Sequence, residues 1–135
     1  MRNNNNNDDN NSNDKRHKFD LEDRTLDFGK RVIRLCRALP LDAVNDRPIR
    51  QVVGSSGSVG ANYREANDAL SKKDTIKKMR IALQEAKETK LHLEMLAEAN
   101  PKFKPRMQNI IQESEELKLI LSAIVDNLIN PKGGN

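Results

Sequence analysis

Catalysis in this chain would have to come from a short set of side chains: Ser55, Ser56 and Ser58, the two histidines His17 and His92, the lone cysteine Cys36, and the pair Glu88 and His92. A serine nucleophile needs a base within hydrogen-bond reach. His17 falls in a polar N-terminal stretch and His92 in a different segment, so no Ser–His pairing is specified. A carboxylate-held di-metal centre in a helical bundle takes a Glu-x-x-His pair from each of two helices plus two further Glu. Here Glu88 and His92 stand four apart, there is no second copy, and His92 lies off the apolar stripe of its segment. No glycine-rich phosphate loop follows a strand, since no strand is signalled. Cys36 borders an apolar stripe and reads as a buried thiol; being single, it makes no intrachain disulfide. The expectation is a protein without catalytic residues, metal or cofactor.

What positions these residues is helical. With 36% hydrophobic and 33% charged residues in 135, three Phe, one Tyr and no Trp, a core must be aliphatic, and the length suits one domain. No apolar run approaches the ~20 residues of a membrane span and the N-terminus is polar, so the cytoplasm is the expected compartment. Residues 1–18, rich in Asn, hold too little apolar surface to offset ordering entropy and are expected to be a disordered arm. From Asp20, a plausible N-cap followed by Glu22 and Asp23, the positions Leu21, Thr25, Phe28, Val32, Leu35 and Leu39 alternate by four and three until Pro40 stops the element. Asp46 followed by Pro48 is read as the opening of a second helix. Its stripe is Ile49, Val52, Ser56, Val59, Tyr63, Ala66 and Leu70. Gly54, Gly57 and Gly60 recur along it, at a cost of roughly 1 kcal/mol each relative to Ala. Either they permit close helix approach, or they make a Gly/Ser loop between two short helices.

A third helix, capped by Ser71 or Asp74, carries Ile76, Met79, Leu83, Ala86, Leu93 and Ala97, supported by Ala82 and Leu96, to about Asn100. Phe103, between Pro101 and Pro105, is an apolar plug for one end. The fourth helix reads Met107, Ile110, Ser114, Leu117, Leu121, Ile124 and Leu128, widened by Ile111, Ile120 and Val125, and residues 131–135 are a flexible tail. Four amphipathic helices with short connections specify an all-α, up-down-up-down antiparallel four-helix bundle over residues 19–130, with shallow crossings near +20°.

A bundle alone leaves its outer faces free to be polar, yet the second helix carries Gly54, Ser55, Ser58, Ala61 and Asn62 away from its stripe. The third adds Ile81, Glu85, Glu88 and His92, and the first adds Leu26 and Ile33. The expected use is a homo-oligomer interface through Ser55, Ser58, Ala61, Asn62, Glu65, Ile81, Glu85 and Glu88; the plain alternative is a solvated face.

The order Leu39-Pro40, then Ser55, Ser56, Ser58, Val59, Asn62 and Glu65, then Lys73-Asp74 and the run from Ile81 to Thr89 with Glu85-Ala86-Lys87-Glu88-Thr89, resembles the four-helix-bundle proteins typified by those encoded in 23S ribosomal RNA intervening sequences. The likeness spans about residues 19–128. Gly54 stands where many members have a basic residue, and Ala66-Asn67 replaces the usual Glu-Gly. What the resemblance implies is a small protomer assembling as a ring, commonly a pentamer, with no established enzymatic activity. Related bundles serve as basic accessory subunits of diversity-generating reverse transcriptases, which makes docking onto such a protein the alternative role.

The formal charge is +4. In the expected topology Lys72, Lys73, Lys77, Lys78 and Arg80 lie at one bundle end, and Arg34, Arg37, Arg47, Arg50, Lys102, Lys104 and Arg106 at the other. Each cluster could neutralise several RNA phosphates with steep salt dependence and little sequence preference, or simply solubilise the surface. The scarcity of aromatics argues against base stacking.

Overall fold

The structure is a computed structural model that describes the backbone of residues 9–131 and the side chains of residues 21–131. Among these residues there are four α-helices, α1 (Asp9–Ala38), α2 (Ala43–Asp68), α3 (Lys72–Ala99) and α4 (Lys104–Ile129), with a 3-10 turn at Pro101–Phe103 and no strand. They form the antiparallel bundle expected. The register is visible in the cross-links: Asn67 donates to Glu22 between α2 and α1, Ser55 meets Thr89 between α2 and α3, Lys90 meets Glu115 between α3 and α4, and Arg24 meets Glu113 between α1 and α4.

The apolar stripes face one another because four helices can remove them from water together and none can do so alone. Phe28 and Val32 from α1, Val52 and Val59 from α2, Leu93 and Leu96 from α3, and Met107, Leu117 and Leu121 from α4 are fully buried in one core. Every expected α1 stripe residue from Leu21 to Leu39 is buried. On α4 the buried position after Leu121 is Val125, with Ile124 half-buried beside it.

Helix ends differ from the expectation in three places. The α1 helix extends back to Asp9, so Asp20 lies inside it rather than capping it; residues 1–8 of the Asn-rich arm, the side chains of residues 9–20, and residues 132–135 of the tail fall outside those described. The N-cap of α2 is Asp42, whose carboxylate accepts from the Asn45 backbone N–H at 2.8 Å, not Asp46. Pro48 therefore sits inside the helix rather than in its first turn. The reason is tertiary: the Asn45 side chain donates to the Pro40 carbonyl and exchanges hydrogen bonds with Asn100 at 2.9 and 2.8 Å, which fixes the turn before Asp46 is reached. Of the two caps expected for α3, Ser71 is the one used, accepting from the Asp74 backbone N–H. Leu70, expected on the stripe, follows the end of α2 and is fully exposed.

The Gly/Ser segment is continuous helix, so the loop alternative falls. Within the chain, however, only Gly60 of these three uses its missing side chain: a Cβ there would lie 3.1 Å from Thr25 Oγ1 and 3.3 Å from Thr25 Cβ. Around Gly54 and Gly57 such an atom would meet nothing within 4 Å. Close approach of α1 is thus set at Gly60, and the other two glycines face outward.

Candidate interaction surfaces

Between α1 and α2, Gly57 opens onto an apolar cleft of about 300 Å³, floored by Ser56, Gly57 and Gly60 and walled by Leu26, Ile33 and Val53. Leu26 and Ile33 are each nearly half exposed, and Val53 is exposed. Ala61 stands on the rim, and Lys30 and Arg64 border the cleft with their charges. Leu26 and Ile33 stand one heptad apart off the core stripe of α1, which is why they emerge beside α2 instead of entering the core. Val53 was not singled out in the sequence, because its place on this cleft depends on where α1 crosses α2.

The residues expected at an interface do not all share one surface. Ser55 is a correction: it is buried, its hydroxyl 2.8 Å from that of Thr89, so it joins α2 to α3 inside the chain's own bundle and is not on an outer face. Thr89 Oγ1 also lies 2.7 Å from the Glu85 carbonyl. Ser58, Asn62, Ile81, Glu85 and Glu88 are half-buried along the outer side of the same α2–α3 seam. There Asn62 donates to the Ser58 carbonyl at 2.8 Å, and Gln84 to Glu88 at 3.4 Å. Burial raises the Glu85 carboxyl above its ordinary value, and the neighbouring Glu88 charge adds to the rise. Glu65 is exposed and pairs with Lys78 at 2.8 Å.

That pair already partners one of the basic residues expected to meet phosphate. Lys72, Lys73, Lys77 and Arg80 are exposed and, among the described residues, unpaired at the start of α3. At the other end Arg37 is exposed, Arg50 pairs with Asp46 at 2.9 Å, and Arg34 reaches Asp27 only at 4.0 Å. Arg34 faces a second cleft, between α1 and α4, shared with Arg106 and with Arg31, which does not belong to the basic cluster expected at this end. Its spacing three before Arg34 was a usable signal; its meeting with Arg106 was not.

Cys36 is buried, and burial pushes its thiol up to about 11, which keeps it protonated and unreactive near neutral pH. Among the described residues no group of three or more His, Cys, Asp or Glu is placed to hold a metal ion, and no helix is long and apolar enough to cross a membrane. Ser56 donates to the Val53 carbonyl within its own helix, at 3.2 Å.

Residues 17–123 match the family model described as "23S rRNA-intervening sequence protein". Among solved structures, the chain is similar to a protein of unknown function from the S23 ribosomal protein family of Bacteroides thetaiotaomicron. The two are 34% identical, with 78% of this chain and 97% of that one covered and a TM-score of 0.69. No curated protein matches.

Proposed function

We propose, from the premise that the chain belongs to the 23S rRNA-intervening sequence protein family, that it is a non-enzymatic protomer which assembles with copies of itself into a ring, a pentamer as the family likeness implies, and that the ring associates with nucleic acid through its basic ends. The observation that carries this reading is the uncovered apolar cleft between α1 and α2. Scattered exposed apolar residues are ordinary, but Leu26, Ile33 and Val53 gather around a glycine floor. A second, unlike pair, Leu91 and Met95, stands exposed one turn apart on α3. Two different patches on one protomer pair head to tail, and a head-to-tail contact that closes by rotation makes a ring. The signs agree: Lys30 and Arg64 border the cleft, while Glu94 and Glu98 lie within a turn of Leu91 and Met95. Ser58, Ala61, Asn62, Glu65, Ile81, Glu85 and Glu88 extend the contact beside the cleft.

Repetition of Lys72, Lys73, Lys77 and Arg80 around such a ring multiplies the field that attracts phosphates, which supports binding driven by counterion release. Light scattering should give about five times the 15.3 kDa protomer mass at micromolar concentration. RNA retained at low salt should be released at high salt and lost when Lys72, Lys73, Lys77 and Lys78 are replaced by Glu. A monomer would remove the assembly reading; unchanged RNA retention by the charge-reversed variant would remove the nucleic-acid reading.

A further inference from the structure

We propose that the cleft between α1 and α4 is a phosphate-binding site in which Arg31, Arg34 and Arg106 hold the anion. The inference deepens the nucleic-acid reading above and rests on it for the source of the phosphate, a backbone phosphodiester.

The cleft measures about 180 Å³ and is lined by Arg31, Arg34 and Arg106, together with the buried residues Leu35 and Ile110. Arg31 is half-buried and Arg106 exposed, and among the described residues neither has a carboxylate partner. Arg34 has only Asp27, at 4.0 Å with both side chains about three-fifths exposed. The nearest acids along α4 do not intervene: Glu113 and Glu116 are taken up by Arg24, two turns away on α1. Three like charges gathered on an apolar floor repel one another, and an anion among them removes that repulsion. A phosphate suits the set because planar guanidinium groups bind its oxygens in pairs.

The start of α4 points the same way. This helix has no side-chain cap and no acid in its first turn. Instead Lys102, Lys104 and Arg106 crowd its positive end, the sign its dipole disfavours. The α2 and α3 helices, by contrast, open on Asp42 with Asp46 and on Ser71 with Asp74. An anion between α1 and α4 would supply the missing negative charge.

The test uses the full chain. Inorganic phosphate is titrated while the arginine side-chain N–H signals are followed by nuclear magnetic resonance, with chloride at matched ionic strength as reference. A fluorescent RNA oligonucleotide is then bound across a salt series. Arg31→Gln/Arg106→Gln is compared with Lys72→Gln/Lys73→Gln, which removes the same charge at the opposite end. Arg106→Gln alone, at an exposed position, serves if the double variant folds poorly. The expected result is a saturable phosphate response at the three arginines that the cleft variant loses and the lysine variant keeps. RNA affinity should fall at least tenfold in the cleft variant relative to the parent chain, with the salt slope reduced by roughly 1.4 to 1.8 for two lost contacts. A response to phosphate no different from that to chloride overturns the site. Saturable phosphate binding with RNA affinity unchanged in the cleft variant keeps the site but assigns it to free phosphate, and removes RNA as its source.

Discussion

Replacing each α2 glycine by alanine adds the same methyl group in three different surroundings. In a helix interior the exchange stabilises by roughly 0.5–1 kcal/mol through backbone entropy alone. At Gly54 and Gly57 the new atom meets nothing within 4 Å, so the protomer should gain that full amount. At Gly60 it would lie 3.1 Å from Thr25 Oγ1 and 3.3 Å from its Cβ. Thr25 cannot easily give way: it is buried, and its hydroxyl donates to the Glu22 carbonyl at 3.0 Å. Overpacking of this kind costs about 1–3 kcal/mol, so Gly60→Ala should be less stable than Gly57→Ala by about 2 kcal/mol. Urea unfolding at several protein concentrations separates protomer stability from assembly. Because Gly57 floors the α1–α2 cleft, Gly57→Ala should also weaken self-association at least tenfold while strengthening the protomer. Equal stability of the Gly57 and Gly60 variants would refute the packing argument. A Gly57 variant that assembles as well as the parent would refute the idea that copies touch along this face.

Asn45 and Asn100 form a buried pair in which both side-chain amides are satisfied, by each other and by the Pro40 and Leu96 carbonyls. Either residue changed to Ala should cost about 2–3 kcal/mol, because it orphans polar atoms of the other; a double-mutant cycle should give a coupling above about 1 kcal/mol, and simple additivity would sink the claim. The Cys36 thiol has its pKa raised from 9.0 to about 11 in the fold, so the unfolded chain ionises first as pH rises. Stability should therefore be intact below pH 9 and decline between about 9 and 11, an effect absent from Cys36→Ala in urea titrations at each pH. Native Cys36 should likewise resist alkylation until the chain is unfolded.

Much of the bundle was legible in the chain itself. The four-and-three spacing of Leu21 to Leu39, of Val52 to Ala66 and of Met107 to Leu121 names both the helices and their buried stripes, because a helix repeats its faces every 3.6 residues whatever it packs against. The same rule placed Leu26 and Ile33 off the core. What periodicity could not supply was any fact about two helices at once. Asp42 rather than Asp46 begins α2 because Asn45 is held by Asn100, more than fifty residues away. Ser55 is an inside residue because Thr89 faces it, and Gly60 alone among three similar glycines is needed because Thr25 comes up against it. Arg31, Arg34 and Arg106 become one cleft only where α1 lies beside α4. Local sequence determines which side of each helix is apolar; which side chains share a site depends on the rotation and register of neighbouring helices, and those are set only when all four pack.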